Sequence, residues 1–250
     1  MGRPRVPGSG MKPPGPRFYD EFAEWWPLFS PPAEYVEEAR DLLQRLGPVP
    51  NPATLLELGS GGGSLAHHLK DRFHLTLTDR SPGMLAVSRG VNPQCEHVVG
   101  DMRSLRLDRR FDVVLIHDAI MYATEPSDVQ AALRTAAVHC RVDGRVIVLP
   151  DYVRETFLPG TDQGGEDASD GRGFRYLEWR WDPDGADETY VVHYAFLMRE
   201  ASGEVNLVHD HHVEGLFARA SWLQWFRDVG LQATVSVDPW GRDVFVARPG

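Results

Sequence analysis

Four glycines crowd into the stretch from Thr54 to Leu69, TLLELGSGGGSLAHHL, directly after an apolar run interrupted near its end by an acid. Leu55, Leu56 and Leu58 predict a buried strand with Glu57 at its carboxyl end. Gly59, Gly61, Gly62 and Gly63 let the following turn bend sharply and lie close against a ligand. Two more acids end the next apolar runs: Asp79 closes FHLTLTD, 18 residues beyond Gly61, and Asp101 stands in GDM before Met102. A carboxylate at the second strand end suits two ribose hydroxyls, because it accepts both hydrogen bonds at once. Asp101 can accept from an adenine amine, with the Met102 amide beside a ring nitrogen. The glycine turn holds no Lys or Arg for a diphosphate, so the pattern fits an adenosine carrying a short zwitterionic tail. Glu57 then lies near the ammonium of that tail, or orients the glycine loop.

These residues need a scaffold that brings strand ends together. Strand and helix alternate from the glycine turn onward: FHLTLTD (73–79), a helix beginning SPGMLAVSR with Ser81 as cap and Pro82 in its first turn, CEHVVGD (95–101), FDVVLIHD (111–118), a helix SDVQAALRTAAVHC capped near Ser127, and GRVIVLPD (144–151). Apolar strands separated by helices imply a parallel sheet with right-handed crossovers, and Glu57, Asp79, Asp101 and His117 all fall at strand carboxyl ends, where such sheets bind ligands. LQATVSVD and DVFVARP, after a helix ASWLQWFRDVG, read as a closing antiparallel hairpin. The fold expected is a doubly wound α/β domain with a mostly parallel seven-stranded sheet.

Two additions frame this core. Residues 1–17, MGRPRVPGSGMKPPGPR, have almost nothing apolar to bury and read as a disordered tail; Met11 is an alternative start, or the GSG before it a cloning scar. Residues 18–250 read as one domain, beginning with an aromatic, amphipathic helical cap over 18–47. In that cap Tyr35, Val36, Ala39, Leu42, Leu43 and Leu46 keep helical spacing. Residues 155–214 read as an antiparallel insertion, a lid or a dimer interface. Within it TDQGGEDASDGRG (161–173) has the composition of a mobile loop, and FRYLEWRW, ETYVVHYAFLM and EVNLVHDHHV are three strands.

Composition narrows the function classes. A formal charge of -10, from 26 basic and 36 acidic residues, disfavours a nucleic-acid binder, whose affinity rests on Lys and Arg neutralising phosphates. Cys95 and Cys140 lack metal-ligand spacing, so no metal and no disulfide framework is expected, and a reducing cytoplasm is the default compartment. No apolar run approaches the roughly 20 residues of a membrane span.

In the order ELGSGGG, TDRSPGML, GDM, FDVVLIHD and GRVIVLPD, residues 53–150 resemble the class I S-adenosylmethionine-dependent methyltransferases. The resemblance implies a Rossmann-like methyltransferase fold, S-adenosylmethionine as cofactor and a small-molecule acceptor. The cofactor set it implies is Tyr19, Glu57, Gly59, Ser60, Gly61, Asp79, Arg80, Met84, Asp101, Met102 and His117, with His117 near the sulfonium. FYDEFAEWW, the insertion and HDHHVEGLF are similar to the aminodeoxysugar N,N-dimethyltransferases, which implies N-methylation and a homodimer formed through the insertion. In those enzymes an N-terminal aromatic closes over the site, matched here by Tyr19, and an arginine faces the substrate, matched by Arg242 in WGRDVF. They carry a histidine in the loop after the fourth strand, whereas this chain reads DAIMYAT with Tyr122 the nearest polar ring. O-methylation, an NAD-dependent oxidoreductase and a non-catalytic cofactor-binding module are the alternatives; GDM speaks against the second.

Methyl transfer is an in-line displacement at a sulfonium, so orientation and exclusion of water matter most, and a base is needed only for an acceptor that arrives protonated. His117, Tyr122, Tyr19 or an insertion histidine is the candidate to act there. His209, Asp210, His211 and His212 look like a metal cluster, but strand alternation puts His209 and His211 on one face and Asp210 and His212 on the other. His209 and His211 are taken as substrate-pocket candidates, with Glu178 as a pocket acid. Leu177, Trp179 and Trp181 share the opposite, apolar face of their strand, and His67 and His68 are taken as solvated.

Overall fold

The computed structural model describes residues 16–250, so the expected disordered tail lies, up to residue 15, outside the described residues. The chain opens with three helical pieces, α1 (Phe18–Glu21), α2 (Trp26–Phe29) and α3 (Val36–Leu46). There follow β1 (Ala53–Leu58), α4 (Ala66–Leu69), β2 (Phe73–Asp79), α5 (Pro82–Val91), β3 (Glu96–Val99), β4 (Phe111–His117), α6 (Pro126–His139) and β5 (Cys140–Leu149). The strands β6 (Gly160–Gly164), β7 (Gly173–Trp181), β8 (Thr189–Arg199) and β9 (Val205–Gly215) come next, then α7 (Arg219–Asp228), β10 (Leu231–Val237) and β11 (Asp243–Pro249).

Seven of these strands form one sheet in the order β10-β11-β5-β4-β1-β2-β3, parallel from β5 to β3, with β11 antiparallel to both of its neighbours. The strand order reverses direction between β1 and β4, which opens a crevice at their carboxyl ends. Every residue of β4 is buried, as a strand covered on both faces requires. One apolar cluster packs α6 and α7 against one face, around Val114, Leu133, Trp222 and Phe245; another packs α3 and α4 against the other, around Leu42, Leu55, Leu69 and Ile147. Ser81 caps α5 by accepting from the Met84 amide at 3.2 Å, with Pro82 at its first position. In α6 the first position is Pro126 and the cap residue is Glu125 with no side-chain bond, so the start lies just before the anticipated Ser127.

The insertion is a four-stranded antiparallel sheet in the order β6-β7-β8-β9. Its edge strand β6 overlaps the start of the segment anticipated as a mobile loop: Gly160 to Gly164 pair with Arg180 to Tyr176, and Asp167 bridges Gly173. The side chains of GTDQG carry no strand signal because they remain largely exposed; the backbone ladder alone makes the strand. On the inner face of this sheet Phe174, Phe196 and Met198 meet Phe18, Trp25 and Leu28 of the cap in a third cluster. Phe18 sits with its ring 4.7 Å from that of Phe196 and 5.8 Å from Phe174.

Since this cluster joins the cap to the second sheet, Phe196→Ala should cost about 3–5 kcal/mol of stability. Urea unfolding checks it; a cost under about 1 kcal/mol would show that the two parts do not share a core.

Candidate active site

Above the crevice lies a cavity of about 1520 Å³, floored by the strand ends, covered by the cap and walled by the inner face of the second sheet. The glycine turn forms one end. Gly59 and Ser60 both donate their amides to Thr78 O at 2.8 Å, and Gly59 and Gly61 have φ of 79° and 53°. A Cβ on Gly59 would stand 2.4 Å from the Ala119 Cβ, and one on Gly62 would stand 2.1 Å from Trp26 of the cap. Glycine at these positions lets the loop after β4 and the indole close directly onto the turn. Trp26 is fixed in turn by its Nε1 donating to Ser64 Oγ at 3.0 Å.

Beside this turn, Glu57 Oε2 and Ser60 Oγ are buried without a hydrogen-bond partner. Such atoms are uncommon inside proteins, and an amino-acid ammonium would supply their missing donors. Burial lifts the Glu57 carboxyl to about 7. Asp79 spends one oxygen on the Gly61 amide at 2.9 Å and the other on Ser81 at 2.8 Å, which leaves a lone pair on each for a ribose diol. Asp101 is more fully engaged: Arg103 binds it through its amide and its guanidinium, at 2.6 Å for the shortest contact, holding the carboxyl below its usual range, and Arg103 also pairs with Asp128 at 2.8 Å. An adenine amine would share Asp101 with that arginine. The residues thus fit an adenosine with a methionine-like tail.

At the floor, three parts of the chain meet in a buried charge cluster. His117 Nε2 donates to Glu38 Oε1 at 2.7 Å and lies 3.3 Å from Asp118; Arg242 binds Asp238 at 2.7 Å, pairs with Glu38, and stands 3.6 Å from Asp118. Burial pulls the His117 imidazolium down, but Asp118 and Glu38 outweigh it and raise it to about 9. At neutral pH His117 carries its proton, so the geometry speaks against it as an acceptor of one. Asp118 itself adopts φ 50°, a strained conformation for a non-glycine residue that is common at functional sites.

The far half of the cavity is carboxyl-rich and aromatic, with Asp118, Asp151, Glu178 and Glu214 among Tyr19, Tyr122, Tyr152, Tyr190 and Tyr194. Burial, reinforced by Asp118 and Glu214, pushes Asp151 well above the ordinary carboxyl range. Glu178 accepts from Arg180 at 2.7 Å and from Tyr194 at 3.0 Å, and the Tyr19 and Tyr122 hydroxyls meet at 2.7 Å.

Of the residues anticipated for the cofactor, all but Met84 line this cavity; Met84 is buried behind Gly61, whose Cβ would meet its terminal methyl. Tyr122, Glu178, Arg242 and His211 also line it, but the Arg242 guanidinium is committed to acids of the protein and the His211 ring packs 4.5 Å from His193. His209 does not reach the cavity: it is exposed on the outer face of the second sheet, bonded to His193 at 2.7 Å. The alternation anticipated along β9 holds, and the inner pair is Asp210 with His212. His68, taken as solvated, bonds Pro32 O at 2.6 Å and ties α4 to the cap. Glu38 gave no signal in the sequence, whereas Asp151, two residues past the end of β5, belongs to the strand-end pattern. Among the described residues no group of His, Cys, Asp and Glu is arranged to hold a metal.

Residues 55–144 match the family model described as a methyltransferase domain. The chain is 30% identical to the dTDP-3-amino-3,6-dideoxy-alpha-D-glucopyranose N,N-dimethyltransferase of Streptomyces fradiae, over 87% of this chain and 86% of the relative. It is 28% identical to the dTDP-3-amino-3,4,6-trideoxy-alpha-D-glucopyranose N,N-dimethyltransferase of Streptomyces venezuelae, over 86% and 92%. The crystal structure of Streptomyces venezuelae DesVI superposes with a TM-score of 0.76 at 26% identity, covering 88% of this chain and 92% of that one.

The Glu57 carboxyl should govern how tail binding depends on pH. Below about 7 it takes up a proton in the free protein and loses its attraction for an ammonium, so calorimetric affinity for S-adenosylhomocysteine should fall from about pH 8 to about pH 6. Glu57→Gln should bind weakly with little pH dependence over that range; tight binding by the variant would remove Glu57 from the site.

Proposed function

We propose, from the premise that this chain belongs to the class I S-adenosylmethionine-dependent methyltransferases as a relative of the aminodeoxysugar N,N-dimethyltransferases, that its methyl acceptor is the amine of an amino sugar. Its cofactor is S-adenosylmethionine and its reaction is methyl transfer. One observation carries the choice of acceptor: the far half of the cavity is walled by Asp118, Asp151, Glu178 and Glu214, while Arg180 and Arg242, the arginines that reach it, are already neutralised by carboxylates. Such a chamber favours a cation.

When bound, S-adenosylmethionine supplies a methyl group on a positively charged sulfur, ready to leave. The chain's own residues hold and orient. Glu57, Ser60 and the glycine turn take the amino-acid tail, Asp79 takes the ribose, and Asp101 with Met102 takes the adenine, with Arg80 and His117 alongside. Tyr19, supported by its contacts with the cap, covers the junction of the two halves and excludes water, and orientation of this kind accounts for much of the rate in a displacement between two bound partners. The Tyr19 and Tyr122 hydroxyls stand in the wall where an amine N–H can be met.

A panel of acceptors offered with S-adenosylmethionine and read by release of S-adenosylhomocysteine tests this reading. Amino sugars, free and nucleotide-linked, should be methylated on nitrogen, and the matching sugars with hydroxyl in place of the amine should not. Turnover on hydroxyl acceptors alone would overturn the N-methyl assignment.

The outer face of the second sheet supports a homodimer. Trp179 and Leu207 are 59% and 71% exposed there, with Leu177 and Leu197 on the same face and His193 and His209 among them, apolar surface of a kind that a second copy would cover. Light scattering should give a dimer and Trp179→Glu a monomer; a wild-type monomer at high concentration would remove this assignment. The two free cysteines fit a reducing cytoplasm, and the net charge of -10 fits a small-molecule partner rather than nucleic acid. No helix among the described residues is long and apolar enough to cross a membrane.

A further inference from the structure

We propose that Tyr122, His212 and Asp210 form a proton relay that takes the acceptor's proton out of the cavity, with His212 as its buried terminal base. The inference rests on the reading of the acceptor as an amine, since an amine bound among carboxylates arrives as an ammonium and must lose a proton before its lone pair can attack.

The three groups are in line. The Tyr122 hydroxyl lies 2.9 Å from His212 Nδ1, and His212 Nε2 lies 3.2 Å from Asp210 Oδ2. His212 and Asp210 are each only 3% exposed, and Tyr122 is the member of the three that lines the cavity. Asp210 is held rigidly, accepting amides from Phe18 at 2.9 Å, Arg17 at 3.2 Å and His211 at 3.0 Å. It remains a carboxylate below its ordinary range: burial alone would raise it, but His212 and these amides outweigh that.

This arrangement selects one tautomer of neutral His212. With Nε2–H donated to Asp210, Nδ1 accepts from Tyr122. The Tyr122 oxygen still has two lone pairs, one for the Tyr19 hydroxyl and one for an N–H in the cavity. In the step, the acceptor N–H bond breaks and its electron pair stays on nitrogen. The proton passes to the Tyr122 oxygen as that oxygen releases its own to His212 Nδ1, leaving an imidazolium between Asp210 and Glu214, the latter 3.8 Å away. Tyr122 cannot serve alone, because burial pushes its hydroxyl well above the ordinary phenol range. His117 holds its proton already.

Around His212 the titratable and charged groups are Asp210 and Glu214 on its own strand, Tyr194 from β8 with rings 4.9 Å apart, Tyr19 from α1 at 5.9 Å, and Tyr122 from the turn after β4. Burial lowers the imidazolium, and the two acids outweigh it and raise it. The relay therefore accepts only on the alkaline side of an ordinary histidine, and kcat should rise with pH through that titration.

The test is kcat against pH for wild type, His212→Gln, Tyr122→Phe and the double variant on an amine acceptor, with S-adenosylhomocysteine affinity as the control for an intact site. Each single variant should lose roughly 10²-fold in kcat, with acceptor KM and S-adenosylhomocysteine affinity within about twofold, and should lose the histidine limb of the profile. The double variant should be no slower than either single one, since the residues act as a unit. A kcat within about twofold of wild type and an unchanged limb in His212→Gln would overturn the relay. Should that variant not fold, the same result in Tyr122→Phe, which keeps the ring and the buried pair, overturns it. Turnover that fails on every amine acceptor overturns the amine reading and the relay together, whereas amine turnover with an unchanged limb overturns the relay alone.

Discussion

The cavity is held at its floor by buried charge, contributed by parts of the chain far apart in sequence. Glu38 comes from a helix of the cap, His117 and Asp118 from the end of β4, and Arg242 with Asp238 from the turn between β10 and β11. Taking such groups out of water is expensive, and removing one partner of a buried pair costs about 3–5 kcal/mol because the other is stranded. The cluster is therefore a locating device: it fixes where the end of β4 stands relative to the cap and the closing hairpin, and that sets the gap in which donor and acceptor must meet. Its pH window follows from the two shifts. The His117 contribution is whole below its unfolded value of about 6.5 and is lost as pH rises through about 9; the Glu38 contribution is whole above about 4.5 and is lost as pH falls through about 2.

A second constraint ties the cavity's cover to its wall. α1 is a single turn, far too short to persist alone, and its first amides are bound by Asp210 from β9. The aromatic cluster around Phe18, Phe174 and Phe196 adds area to the same joint, and Ser81 donates to the Tyr19 carbonyl from the start of α5 at 2.8 Å. Tyr19 is thus fixed from the second sheet on one side and from the cofactor-side helix on the other. The insertion is a structural half of the site rather than an appendage to it.

The parallel sheet was legible because its central strands are buried and so read as largely apolar runs, FDVVLIH above all. The glycine turn and the acids at Glu57 and Asp79 were legible because a strand end followed by a turn leaves few other uses for those residue types. What the sequence could not convey was long-range. Which face of β9 looks inward depends on α1 docking there, so alternation grouped Asp210 with His212 correctly but could not choose that pair over His209 and His211. Glu38 reads as a solvated helical acid until α3 is laid against the end of β4. Asp101 matches its motif, yet its oxygens are partly claimed by Arg103 two residues on, a local bond that the strand-end rule does not consider. β6 is strand by pairing alone.

Charge inside the cavity depends on what occupies it. Glu57, Asp118 and Asp151 are all raised by burial, which opposes the charged form, and the neighbouring charge of Asp118 raises Asp151 further. A cation entering the chamber reverses that balance, favouring ionised carboxylates and a protonated amine together. For the proposed amine acceptor this creates a chemical problem, because the form bound best lacks the lone pair needed for attack. Among the described residues, the acids that attract the ammonium gain nothing by accepting its proton into the same wall, since that would discard the attraction. A base outside the chamber but connected to it resolves the conflict. In the proposed relay His212 meets that requirement: it sits behind Tyr122, and Asp210, which does not line the cavity, stabilises its charged form together with Glu214 of the wall. On the proposed relay, the position of this histidine behind the wall, rather than in it, would let one cavity both attract a cation and neutralise it.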